Sequence, residues 1–184
     1  MDSYFRAVRP MTIASIEAAA NELKSLLGMR QSGRVQMVNL IETVLPEVLP
    51  DYLFTVLPDE EMPGMDGLAA LESFTICLAE HTYIDLCKGV PEARFVAAHE
   101  LGHLILHTHR QTSLAKRSYA DHSVDPEWQA DRFADAWLMP RSGVRACSTA
   151  EDVAERFSVP FEAARRRFEQ VSANLSEIQG ELFQ

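Results

Sequence analysis

Five residues, His99-Glu100-Leu101-Gly102-His103, constrain this chain more than any other feature. Phe95, Val96, Ala97 and Ala98 precede them and Leu104, Ile105 and Leu106 follow, so the motif belongs to a buried helix. Residues four apart on a helix share a face and lie about 6 Å apart along its axis. Two imidazoles so placed can converge on one cation, and neutral imidazole nitrogens suit zinc better than magnesium or calcium. Glu100 projects to the side, within reach of a water on the ion but not needed as a ligand. The competing reading is a satisfied histidine pair on an ordinary helix; the full H-E-x-x-H pattern inside an apolar segment favours the metal.

A catalytic zinc ion usually keeps three protein ligands and one open position. Three residues compete for the third place. His109 stands six residues after His103, but Leu106 occupies the position where a glycine would have to turn the chain, so the helix continues and His109 faces elsewhere. His107 shares the face of His103 yet lies about 12 Å along the axis from His99, too far for one ion. Glu127 opens the next expected helix, behind an Asp125-Pro126 cap and first turn. Asp131, four residues on, shares its face and could accept a hydrogen bond from the free nitrogen of a liganding histidine. Spacing alone leaves Glu127 open between a ligand and an acid favoured by the helix N-terminus.

The run Arg94-Phe95-Val96-Ala97-Ala98-His99-Glu100-Leu101-Gly102-His103, followed by Leu106-His107, resembles the ImmA/IrrE family of zinc metallopeptidases. So does Glu127-Trp128-Gln129-Ala130-Asp131-Arg132-Phe133-Ala134, which ends in Leu138-Met139-Pro140 and is similar to that family's Glu-x-x-Ala-Asn-x-Phe-Ala signature. Asp131 stands where the family often has Asn; either can accept the hydrogen bond. The resemblance is close over about residues 92 to 140. It implies a zincin fold and one zinc ion on His99, His103 and Glu127; Glu100, beside that ion, is the residue expected to handle the protons. For the better-known members the resemblance also implies cleavage of a helix-turn-helix repressor.

Around this motif the text is that of an α+β protein. Ile13, Ile16, Ala20, Leu23 and Leu27 step by three and four, predicting a helix over Thr12 to Leu27 that Gly28 stops. A second helix is expected from Val35 to Leu45, ending near Pro46. Tyr52 to Leu57, Phe74 to Leu78 and Thr82 to Leu86 read as strands of a small antiparallel sheet against the motif helix, with Pro58 to Gly67 a surface loop. Helices are expected over Pro91 to His107 and Pro126 to Leu138. Ser148-Thr149-Ala150-Glu151 reads as a capping box opening a helical pair, the second member running from Phe161 to Val171. The expected division is a zincin-like domain over 1–140 and a helix-turn-helix-like region over 141–184, packed on the first.

Charge and cysteines bound the setting. A formal charge of −10 disfavours non-specific binding to nucleic acid. Arg165, Arg166 and Arg167 could face a phosphate backbone, but flanking acids and the stripes Val153/Phe157 and Phe161/Phe168/Val171 favour packing. Met1 to Pro10 shows no leader pattern and no apolar run approaches membrane-spanning length. Cys77, Cys87 and Cys147 are an odd set without paired spacing, which predicts a reducing, cytoplasmic setting. The expected partner is a protein substrate, lying along the Thr82 to Leu86 strand as an added strand. Tyr119, His122 and Tyr83 are the candidate donors to a developing oxyanion. The rival expectation is a zinc-containing regulatory or binding module without peptidase activity.

Overall fold

The computed structural model describes residues 4–29, 33–107, 113–116 and 122–182. Helix α1 (Ile13–Leu26) begins where the Thr12 side chain accepts a hydrogen bond from Ser15 N at 3.1 Å, and it buries Ile16, Ala20 and Leu23. Gly28, at φ +63°, turns the chain away after it. The next helical run does not end near Pro46 as expected. α2 (Met37–Asn39), a π-helical turn (Leu40–Val44) and α3 (Leu45–Val48) follow one another without a break. Leu45 N reaches back five residues to Leu40 O. The widened turn accommodates the ring of Pro46, which has no N–H to place.

Three strands form the sheet: β2 (Leu53–Leu57), β3 (Gly67–Ala70) and β4 (Thr75–Ala79), in the order β2-β4-β3. β4 is central and wholly buried. The sheet is mixed, not antiparallel: β2 runs parallel to β4, whereas β3 runs antiparallel with Gly67 opposite Leu78. The segment Thr82 to Leu86 is not a strand; it lies inside α4 (Glu80–Lys88). Thr82 and Leu86, four apart, are the buried pair of that helix, and Gly89 at φ +79° ends it. Burial of one helical face outweighs the β propensity of Thr82, Tyr83 and Ile84. The strand that replaces it, β3, starts at the end of what reads as a loop.

Helices α5 (Pro91–His107) and α6 (Pro126–Leu138) have the bounds the sequence predicts. Gly102 lets them meet closely: a Cβ there would lie 3.1 Å from Ala130 Cα, Ala130 O and Phe133 Cβ. β1 (Tyr4–Ala7) and β5 (Ser113–Lys116) pair antiparallel, a ribbon the sequence reading missed.

Three further helices close the fold: α7 (Arg141–Val144), α8 (Ala150–Phe157) and α9 (Phe161–Leu182). α9 runs well past Val171. The capping box is real but sits one residue later than read, with Thr149 and Asp152 as its reciprocal pair. Val144, Val153, Phe157, Ala164 and Val171 enter the same apolar core as Ile16, Phe133 and Trp137, so residues 144–171 pack onto the helices before them. Buried Arg94 of α5 ties the two together by donating to Val35 O, Phe157 O and Ser158 O. The architecture is α+β and zincin-like, with the motif helix between the sheet and α6.

The three consecutive arginines of α9 are engaged within the chain. Arg165 pairs with Glu162 and Glu169, Arg166 makes two 2.9 Å bonds to buried Asp135, and Arg167 pairs with Glu17 and donates to Met139 O. Among the described residues no helix is long and apolar enough to cross a membrane.

Candidate metal centre

One turn of α5 separates His99 from His103, and their Nε2 atoms lie 2.9 Å apart. The first turn of α6 brings Glu127 to them. Its helix starts there because Asp125 accepts from Glu127 N at 3.0 Å and Pro126 has no N–H that needs an acceptor. Glu127 Oε2 stands 3.2 Å from His99 Nε2 and 3.5 Å from His103 Nε2. These three form the group able to hold a metal ion among the described residues. Ligands about 2.0–2.1 Å from a tetrahedral ion lie about 3.3 Å from one another. The observed triangle matches that edge, and two imidazoles with one carboxylate are a donor set zinc accepts. The residues present therefore fit a single ion.

Electrostatics around the triangle follow from its crowding. Burial opposes a proton on His99, but the Asp131 and Glu127 carboxylates outweigh it and raise the pKa to about 9. Hydrogen bonds from His103 and His99 hold the Glu127 carboxyl far below the usual range. An entering cation therefore displaces a proton from His99. Asp131 Oδ1 lies 3.0 Å from His99 Nδ1, on the side of the ring away from the triangle. Burial pushes the Asp131 carboxyl up, and the bond from His99, with Arg166 and Arg132 nearby, holds it below its ordinary value.

Glu100 leaves the triangle free and turns toward the sheet. It is 8% exposed, and burial raises its carboxyl pKa against the pull of His99 and His103. The backbone N–H of Ala69 in β3 donates to it. Gly67 makes room: a Cβ there would lie 2.8 Å from Glu100 Cγ. A carboxyl that is buried, tethered and raised in pKa is suited to taking and returning a proton.

The other predicted residues fare differently. The Tyr83 hydroxyl is committed to Glu42 and its ring rests on Phe54, so it is not free to meet an oxyanion. His122 opens a 3-10 turn (His122–Val124) just ahead of α6, exposed, its ring without a hydrogen-bond partner among the described residues. Tyr119 and His109 lie outside the described residues. Sequence reasoning missed two side chains beside the centre. His107, set aside as a ligand, lies with Nδ1 3.1 Å from His103 Nδ1, and Gln129 meets its Nε2 at 3.1 Å. Burial lowers the His107 pKa to about 4. The four-residue step from His103 to His107 was the available signal; Gln129 carried none.

Comparison with known proteins locates this arrangement. Residues 82–169 match the family model Peptidase_M78, the IrrE N-terminal-like domain. Among solved structures, a Mycobacterium tuberculosis transcriptional regulator resembles the fold with a TM-score of 0.54 over 82% of this chain, at 21% identity. This chain spans 45% of that regulator's length. No curated protein matches. All three residues of the triangle, and Glu100 with them, fall inside the matched stretch, so the centre lies in the part of the chain that is similar to the IrrE N-terminal-like domain.

Proposed function

We propose that the chain is a zinc-dependent endopeptidase that hydrolyses a peptide bond in a specific intracellular protein. The supporting observation is the His99, His103 and Glu127 triangle beside a buried carboxyl that is not part of it. When bound, zinc supplies Lewis acidity, lowering the pKa of a water from about 15.7 toward 7 and polarising the scissile carbonyl. His99 and His103 would hold the ion by Nε2 and Glu127 by a carboxylate oxygen. Glu100 accepts the proton of the attacking water and returns it to the departing amine, with Ala69 N–H keeping its carboxyl in place. Asp131, 3.0 Å from His99 Nδ1, would keep that ring turned with Nε2 toward the ion.

The substrate strand expected along Thr82 to Leu86 has no edge there. β3 takes its place: it is an outer strand of the sheet and its backbone already reaches Glu100. A peptide added to β3 would lie across the carboxyl and the triangle. A helix-turn-helix repressor is the substrate class the ImmA/IrrE resemblance favours. The structural neighbour is a transcriptional regulator, which favours a second reading, a metal-holding regulatory module that cuts nothing.

One substitution separates the two. Glu100→Gln keeps the volume and removes the proton acceptor. The peptidase reading expects zinc binding retained and cleavage of a co-encoded repressor reduced by about 10²–10⁴. Undiminished cleavage by Glu100→Gln refutes the mechanism, and a wild-type chain that binds zinc but yields no fragment favours the module.

A further inference from the structure

A liganding histidine needs its second ring nitrogen protonated and held, because the tautomer decides whether a lone pair faces the metal. His99 has Asp131 for this. Among the described residues no carboxylate meets His103 Nδ1; the ring of His107 lies there instead.

Donor and acceptor roles along this contact can be assigned from its far end. Gln129 Nε2 lies 2.8 Å from Arg9 O and 2.6 Å from Ser123 O. Two backbone carbonyls can only accept, so the amide NH2 faces them and Oε1 faces His107. Oε1 can only accept in turn, which places a proton on His107 Nε2. A neutral imidazole protonated at Nε2 has its lone pair on Nδ1, so the 3.1 Å contact takes its hydrogen from His103 Nδ1. His103 is left with a lone pair on Nε2, the atom 2.9 Å from His99 Nε2 and 3.5 Å from Glu127 Oε2. His107 and Gln129 are both buried, so water does not compete for these bonds.

We propose that His107 and Gln129 are positioning residues, a relay anchored on the Arg9 and Ser123 carbonyls that fixes the tautomer and ring orientation of His103 for the metal. The inference rests on the metal-centre reading of His99, His103 and Glu127, and it does not depend on any peptide being cut. It also ties the segment around Arg9, whose neighbours Val8 and Met11 bond to Val124 O and Ser123 O, to the metal centre.

The test uses the full chain, 15N-labelled and zinc-loaded. A through-hydrogen-bond 15N–15N coupling between His103 Nδ1 and His107 Nδ1 is expected, with the His107 proton on Nε2. A His107 proton on Nδ1, or no coupling, overturns the relay. Zinc affinity, read by competition with a chelating dye, gives the second arm. His107→Phe keeps the volume without the acceptor and should bind zinc about 10–100-fold more weakly. His107→Asn puts an oxygen near the place of Nδ1 and should recover most of that loss. Equal affinity in His107→Phe and wild type refutes the proposal, and so does an equal loss in both variants, which would mark a merely structural ring. If His107→Phe does not fold, Gln129→Leu should show the same loss, and the wild-type coupling decides independently of either variant. A chain with the coupling that cleaves nothing would refute the peptidase reading alone. A cleaving chain without the coupling would refute the relay alone.

Discussion

Gly102→Ala tests the geometry on which the metal centre depends. The added Cβ would meet Ala130 Cα, Ala130 O and Phe133 Cβ, each at 3.1 Å. Two of these are backbone atoms and cannot rotate away. Carbon atoms rest comfortably at about 3.5–4.0 Å, so α6 must retreat by about 0.4 Å. Two effects on stability then oppose each other. Alanine in a helix interior gains about 1 kcal/mol over glycine, while overpacking costs about 1–3 kcal/mol. The net change in the metal-free chain is therefore small, between neutral and about 2 kcal/mol destabilising. Zinc binding has no such offset. Glu127 lies one turn from Ala130, and a retreat of about 0.4 Å exceeds the roughly 0.2 Å tolerance of ligand distances around zinc. Affinity should fall about tenfold or more, equivalent to about 1.4 kcal/mol. Dye competition measures this, with thermal melting of the metal-free protein as the control. A variant that melts higher and binds zinc as wild type does would show that the two helices do not set the position of Glu127.

Three further outcomes follow from buried or paired charges. Lys24 is 1% exposed, its Nζ has no hydrogen-bond partner among the described residues, and burial, with Arg167 adding, lowers its pKa to about 8. A lysine depressed from its unfolded value costs stability below the folded pKa, a penalty of about 3 kcal/mol that fades between about pH 8 and 10.5. Its cation–π contact with Trp137 returns about 0.5–2 kcal/mol, so Lys24→Met should stabilise at pH 7 by roughly 1–2 kcal/mol and by less at pH 10; a destabilised variant in urea melts would contradict this. Asp135→Ala should cost about 3–5 kcal/mol, because it strands Arg166 and Arg132 against a buried position; a loss under about 1 kcal/mol in the same melts would refute the pairing. His81 sits between Asp59 at 2.8 Å and Asp66 at 3.0 Å, and those hydrogen bonds raise its pKa. Its contribution is thus fully present below about pH 6.5 and is lost as pH rises through the raised value. NMR titration should place His81 above 6.5, with amide exchange near Asp66 accelerating on the alkaline side; a His81 value at or below 6.5 would refute it.

The parts legible in the sequence are those fixed by neighbours along the chain. α5 and α6 have their expected limits because Pro91, Asp125 and Pro126 act on the turn they begin. The motif residues fall where the helical repeat puts them. What could not be read is set across the chain. Gly67-Leu68-Ala69-Ala70 has little strand propensity of its own, and β3 forms because β4 offers a partner and Gly67 leaves space for Glu100. Thr82 to Leu86 has the composition of a strand but is held as a helix by burial of Thr82 and Leu86. The parallel β2–β4 pair needs β3 to be skipped in the sheet order, which no local pattern announces.

The same arithmetic that disqualifies His107 as a ligand gives it a different place at the site. About 12 Å of helix rise separates it from His99, but only about 6 Å from His103. On one face of α5 the three imidazoles make a series, each within hydrogen-bond distance of the next. Charge changes along that series. His99 lies between two carboxylates and takes a proton readily, whereas His107 is buried against a neutral amide and resists one. The side that meets the ion is thus rich in negative charge, and the side that orients the ring is neutral. His103 is thus held at Nδ1 by a ring whose own far nitrogen is fixed by Gln129, where His99 is held by the Asp131 carboxylate.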